Sequence, residues 1–198
     1  MRTAYLGLGS NRGDRLGHLQ AAVDGLSRPG DTAITDVSGV YRTEAHTLKE
    51  QDDQPDFFNA VVGIRTRLRP AALLGRTQAL ERAQGRPPAG KRRRWAPRVL
   101  DIDLLVMGSV TRDSLDLTLP HPRLAERRFV LLPLAELNPD LWIPEPFAAS
   151  VRDLLDQCPD ESKISRVGGS LHIPEPDAPT ESDDRKTPSG DGENPAHT

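Results

Sequence analysis

Two rhythms of apolar and polar residues take turns along this 198-residue chain: short stretches with a period of two, as in half-covered strands, and longer ones near 3.6, as in helices lying on a core. TAYLGLGSN, residues 3–11, predicts a strand ending in a Gly-Ser-Asn turn, after which Asp14 caps a helix RLGHLQAAVDGLS that stops at Pro29-Gly30. TAITDVSGVYRT (32–43) and DFFNAVVGIRTRL (56–68) predict two strands joined by the polar loop EAHTLKEQDDQP. Pro70 opens a helix AALLGRTQALERAQG with Leu73, Leu74, Thr77 and Leu80 on one face. A basic loop, a further strand and a turn region ending LPHPR follow. RRFVLLPLAELNPD is expected to be helical only in part, because Pro133 argues for a short or broken element. AASVRDLLDQC predicts a last helix and KISRVG an edge strand.

The order β-α-β-β-α-β with additions is the split-βαβ order of a ferredoxin-like α+β fold, a mainly antiparallel sheet with flanking helices in three αβα layers. Such a fold hosts many functions, so chemistry must be read from particular side chains. The run RWAPRVLDIDLLVMG, residues 94–108, places two carboxylates in an otherwise apolar strand. Alternation puts Asp101 and Asp103 on one face, with Leu100, Ile102, Leu104 and Val106 forming an apolar face opposite. Neighbouring anions repel unless a cation lies between them, and Mg²⁺ takes one or two carboxylates together with phosphate oxygens and water. The D-x-D pair alone serves equally well as the solvated face of an edge strand.

Composition bounds the chain to one domain's length with no transmembrane stretch, and its start lacks a secretory apolar segment, so a cytoplasmic protein is expected. The single cysteine, Cys158, excludes an intramolecular disulfide framework and reads as a helix-end residue. From His172 onward the chain has one large aliphatic residue, Ile173, five prolines and seven acids against two bases. Too little apolar area is there to offset ordering entropy, so residues 1–171 are expected to form one domain and 172–198 a disordered acidic, proline-rich tail. A chain ending near Gly169 is therefore expected to keep fold and activity. The tail's −5 turns a total of −3 into +2 for the body. This suits a small anionic ligand and does not by itself indicate nucleic acid or a membrane.

Two nucleotide motifs nearly match. GLGSNRG has its last glycine one residue late for a dinucleotide fingerprint, and the hairpin after it breaks the βαβ repeat; a tight strand-to-helix turn accounts for Gly9 and Gly13. GRPPAGKR, residues 85–92, has the spacing of a phosphate-binding loop, but Arg92 replaces the magnesium-binding hydroxyl and two prolines remove backbone donors. Between residues 86 and 98 lie Arg86, Lys91, Arg92, Arg93, Arg94 and Arg98 with Trp95 among them. Such cations beside two carboxylates suit a metal-bound polyphosphate, whereas a charge run standing alone reads as a solvated or RNA-touching loop.

The segments LGLGSNRGD, QPDFFNAVV, TQALERAQGR, RWAPRVLDIDLL and LPHPRLAERRFVLLPLAEL together resemble the hydroxymethyldihydropterin pyrophosphokinases, folate-pathway enzymes that move a diphosphate from ATP to a pterin alcohol. The resemblance reaches to Pro144. It implies that Asp101 and Asp103 hold two Mg²⁺ ions bridging the ATP phosphates, and that Gln78, Glu81, Thr118, His121 and Arg127 contact ATP with Trp95 at the adenine. Arg86 and Arg98 match mobile-loop arginines that steady triphosphate charge in the transition state, so residues 86–98 are expected to close over substrates. The pterin ring would stack between Phe57 and Phe129, with Asn59 and the backbone near Thr43 reading its amide edge. Plain core packing is the commoner fate of a phenylalanine, but Asn59 interrupts an apolar strand and needs a buried partner. The chain departs from the family in a longer loop at 44–56, an extended basic loop, and Ala96 in place of glycine. The implied partners are ATP and 6-hydroxymethyl-7,8-dihydropterin, with other folate-pathway enzymes as candidate contacts. The alternatives are a ferredoxin-like RNA-binding module, although no aromatic RNA-binding signature is present, and an inactive paralogue, although no metal ligand is missing.

Overall fold

The computed structural model describes residues 1–28, 30–44, 54–86 and 98–174. Its centre is an antiparallel sheet in which β1 (Arg2–Ser10) lies between β4 (Phe57–Thr66) and β5 (Asp101–Met107). β2 (Thr32–Val37) and β3 (Tyr41–Thr43) both pair with β4, and β10 (Ile164–Arg166) extends the edge beyond β3. The expected single strand 32–43 is thus two. Ser38 interrupts it, its hydroxyl accepting from the Val61 amide while its own amide donates to the Val61 carbonyl. The side chain takes over one rung of the ladder, and the strand bends there.

Helices cover both faces, giving the ferredoxin-like three-layer α+β arrangement. α1 (Arg15–Leu26), capped by Asp14 through the Gly17 amide, buries Leu19, Ala22, Val23 and Leu26 against Ala4, Leu6, Leu8, Val62 and Ile64. α2 (Pro70–Ala83) lies on the same face. Its fully buried stripe is Leu73, Thr77 and Glu81, spaced four apart, so a carboxylate occupies the third apolar position while Leu74 and Leu80 pack at the margin. On the opposite face α3 (Arg128–Leu137) and α4 (Val151–Asp156) bury Val130, Leu131, Leu134, Val151 and Leu154 against Tyr5, Val61, Leu105 and Val106.

The structure corrects several expectations. α3 runs unbroken through Pro133: the proline removes the donor that would meet the Phe129 carbonyl, and burial of Val130, Leu131 and Leu134 outweighs that one bond. Val106 is not on the apolar face opposite the aspartates. A bulge shifts the β1–β5 register between Tyr5 and Leu6, so Leu105 and Val106 both turn to the α3 side and Met107 to the α1 side. Gly13 sits in the expected turn at φ +66°, but Gly9 lies inside β1. The last helix is shorter than expected, because Ala149–Ser150 forms a short strand, β9, with Trp142–Ile143, β8, before Ser150 caps α4 in a reciprocal box with Asp153. The hairpin strands β6 (Arg112–Asp113) and β7 (Thr118–Leu119) lead into a 3-10 turn at Leu124–Glu126 just before α3. Among the described residues no helix is long and apolar enough to cross a membrane.

Candidate active site

Where α3 and α4 leave one end of the sheet uncovered, a cleft of about 680 Å³ opens over the ends of β1, β4 and β5. Register makes its floor. Gly7 stands opposite Asp103 and Gly9 opposite Asp101, and on the other side Gly9 pairs with Asn59. Neither glycine has a side chain to fill the space between: a Cβ on Gly9 would lie 3.4 Å from the Asn59 Oδ1 and 4.0 Å from the Phe57 ring. Bare backbone here leaves room for a ligand to lie against the strands, a role beyond the turn expected for Gly9.

At the β5 end the carboxylates face cations. The Arg86 guanidinium is 2.9 Å from Asp101 Oδ1, Arg98 pairs with Asp101 Oδ2, and Arg127 donates to Asp103 Oδ2 at 2.9 Å. His121 Nδ1 accepts from the Arg123 amide at 3.1 Å, which leaves the ring's proton on Nε2, 3.9 Å from Asp103 Oδ2. Burial is the largest influence on His121 and lowers its pKa, so the ring is neutral around pH 7 despite the nearby carboxylate. Behind the strand, Glu81 accepts from the Ile102 amide at 2.9 Å and pairs with Arg86. Burial, the largest effect, raises its pKa, and these two partners pull it back. Glu81 thus grips the residue between the aspartates and one arginine that reaches them, without lining the cleft.

At the β4 end Phe57 and Asn59 share the cleft with Thr43 of β3 and Phe129 of α3. The buried partner that Asn59 required is Thr43, whose hydroxyl accepts from Nδ2 at 2.9 Å. The Arg127 guanidinium lies 5.8 Å from the Phe129 ring centre, connecting the two ends. Asn11, fully buried, exchanges two bonds with the backbone of Arg98 and donates to the Pro55 carbonyl at 3.3 Å, so the chain enters β4 and β5 from one shared anchor.

Of the residues singled out from sequence, Thr43, Phe57, Asn59, Arg98, Asp101, Asp103, Arg127 and Phe129 line one cleft. Arg86, Glu81 and His121 contact its carboxylate strand from behind or beside. Gln78 is half-buried on α2, and Thr118 lies on β7 with its hydroxyl 3.4 Å from Asp113. Trp95, Lys91, Arg92 and Ala96 lie outside the described residues. The sequence reading missed Gly7, Asn11, Arg123 and Asp160. GLGSN carried the first two in plain view, but strand glycines and a buried asparagine acquire meaning only once the register is known.

Fold and cleft together define a class, an α+β domain with paired strand carboxylates, arginines and an aromatic pair around one cleft. Residues 5–139 match the family profile of 7,8-dihydro-6-hydroxymethylpterin-pyrophosphokinase (HPPK), and the chain belongs to that family. It is 38% identical over 170 residues to the 2-amino-4-hydroxy-6-hydroxymethyldihydropteridine pyrophosphokinase of Pseudomonas aeruginosa, covering 86% of this chain and 99% of that one. The Methylorubrum extorquens protein of the same name is 42% identical over 167 residues, covering 84% and 99%. Among solved structures, Plasmodium falciparum HPPK-DHPS wild type with pterin and p-hydroxybenzoate superposes with a TM-score of 0.59 at 15% identity, over 79% of this chain. That likeness speaks for the fold, and the present chain spans only 41% of the solved one.

Proposed function

We propose that the protein transfers a diphosphate from ATP to 6-hydroxymethyl-7,8-dihydropterin, releasing AMP, as a step of folate synthesis. The observation that carries this reading is the polarity of the cleft: two carboxylates among arginines at one end and a Phe57–Asn59–Phe129 setting at the other. A polyphosphate suits the first and a flat heterocycle the second. Family membership points the same way.

The donor set fits magnesium. Two carboxylates stand on one strand face and border the cleft. That is the incomplete, all-oxygen set of an ion that shares its shell with phosphates and water. Asp101 and Asp103 would hold Mg²⁺, which would supply charge neutralisation of the triphosphate; we propose two ions, as the family resemblance implies.

The chain's own residues do the rest. Arg86, Arg98 and Arg127, which neutralise the aspartates in this structure, would turn onto phosphate oxygens and steady charge moving toward AMP. Phe57 and Phe129 hold the pterin face to face, and Asn59, fixed by Thr43, orders its amide edge. This aims the hydroxymethyl oxygen at the β-phosphorus. As the O–P bond forms, the bond from the β-phosphorus to the α–β bridging oxygen breaks, AMP leaves in line, and the hydroxyl proton is released to water. Gln78, Thr118, His121 and Trp95 are assigned to ATP, Glu81 to holding β5 and Arg86 beside it.

The test is the nucleotide product. With Mg-ATP and the pterin alcohol the purified protein is expected to release AMP, and only when the pterin is present. ADP as product would leave a kinase but remove this mechanism, and a folded, metal-supplied protein without turnover would move the reading to an inactive paralogue. Contact of the acidic tail with another folate-pathway enzyme is a separate proposal, checked by comparing the full chain with one ending at Pro174 in a binding assay.

A further inference from the structure

We infer that Asp160, in the segment after α4, is a positioning residue that sets the start of α3 so that Phe129 faces the cleft at the right distance. α3 begins without a local cap. Arg127 precedes it with no capping side-chain bond, and its first turn holds no acidic residue. The missing acceptor comes from 32 residues away, because Asp160 Oδ2 takes the Arg128 amide proton at 3.0 Å. A carboxylate at that end satisfies a first-turn donor and opposes the positive end of the helix dipole.

Arg128 directly precedes Phe129, which forms the α3 wall of the cleft. Arg127, on its other side, is held separately by its bond to Asp103 at 2.9 Å. Asp160 Oδ1 meanwhile accepts from the Ser162 amide and hydroxyl, fixing the turn that leads into β10. β10 pairs with β3, placing Ile164 opposite Thr43. One carboxylate therefore ties the wall carrying Phe129 to the strand edge carrying Thr43, and Pro159 and Asp160 themselves border the cleft. The far part of α3 is held to the same edge, since Glu136 accepts from the Gly39 amide, the Tyr41 hydroxyl and the Arg166 guanidinium. With that second attachment in place, loss of Asp160 frees the beginning of the helix, not the whole of it.

The inference rests on the reading of Phe129 as a pterin wall, and the experiment separates the two. In Asp160→Ala, exchange of the Arg128 amide in the ligand-free protein is expected to quicken, and the KM and Kd for the pterin to rise about tenfold, while kcat and the ATP Kd stay within about twofold. Asp160→Asn keeps one of the two acceptor oxygens, which can still meet the Arg128 amide, and is expected to restore part of the exchange protection and of the pterin affinity. A direct charge contact with substrate would instead make Asn as poor as Ala, overturning the positioning role. Unchanged exchange at Arg128, or parallel losses of ATP and pterin affinity, would overturn it as well. Phe129→Ala is measured alongside: if it weakens pterin binding and Asp160→Ala does not, the positioning role is wrong and the cleft reading stands. If Phe129→Ala also binds pterin like the parent, the cleft reading itself is wrong and the inference falls with it.

Discussion

At the scale of single residues, Asp101 and Asp103 are distinguished by their partners and not by their spacing. Each already sits against arginine, Asp101 against Arg86 and Arg98 and Asp103 against Arg127. Replacing either by Asn keeps the shape and a hydrogen-bond acceptor, so folding is expected to survive, with melting temperature changed by no more than a few degrees. Turnover is expected to fall by about a hundredfold or more, because a neutral amide holds a magnesium ion far more weakly than a carboxylate and does not balance arginines that must exchange partners with a triphosphate. Steady-state kinetics beside a thermal melt checks this. A well-folded Asp101→Asn protein with near-parental turnover would remove the metal assignment. What sequence could show of this site was the set of chemically committed side chains: the two aspartates, Asn59, and the arginines next to them. It could not show Asp160, since a helix cap donated from a distant segment has no local spacing to betray it.

At the scale of elements, period-two and period-3.6 patterns marked the central strands and the helices, because burial of one face imposes those patterns directly. What they missed were breaks in regularity. The β5 bulge that sends Val106 to the aspartate side and the Ser38 interruption between β2 and β3 both depend on partner strands, not on the strand's own composition. The joint between α2 and the start of β2 is similar, a pairing of distant residues. Arg76 Nη1 and Nη2 grip Asp31 at 2.5 and 2.6 Å, and Nη1 also donates to Thr32. The Arg76 hydrogen bonds are the main reason the Asp31 pKa falls from 3.8 to about 2. A depressed carboxylate stabilises the fold above its unfolded pKa and loses that contribution as pH falls through its folded value, so the window is about pH 4 down to about 2. Asp31 is partly open to solvent, and the contribution is of order 1 kcal/mol after screening. Thermal melts of Asp31→Asn are expected to show a deficit at pH 7 that shrinks below about pH 4 and closes near pH 2. A deficit of the same size at every pH would mean that the packing of Arg76, not the charge of Asp31, holds this joint.

At the scale of the whole molecule, ending the chain near Gly169, which composition leads one to expect is harmless, would cut into ordered contacts. Leu171 is 8% exposed and belongs to the core under α1, with Leu16 and Val167 packed against the same cluster. His172, assigned by composition to the tail, has its amide donating to Gln20 Oε1 at 2.8 Å and its carbonyl accepting from Gln20 Nε2 at 3.0 Å. A single leucine in a polar context gives too weak a pattern to be read as core, yet one buried leucine is worth about 2 kcal/mol. Residues 175–198 lie outside the described residues. A chain ending at Pro174 is therefore expected to melt with the full-length protein, whereas one ending at Gly169 loses Leu171 and the Gln20 bridge and melts several degrees lower. Because α1 packs on the face of the sheet opposite the cleft, the shorter chain is expected to keep its kcat at 25 °C while its activity fails earlier on heating. Melting curves and temperature-dependent turnover for the two lengths decide the matter. Coincident melts would restore the expectation that a chain ending near Gly169 keeps its fold, and a lower kcat at 25 °C in the shorter chain would show that the helix face supports the cleft through the sheet.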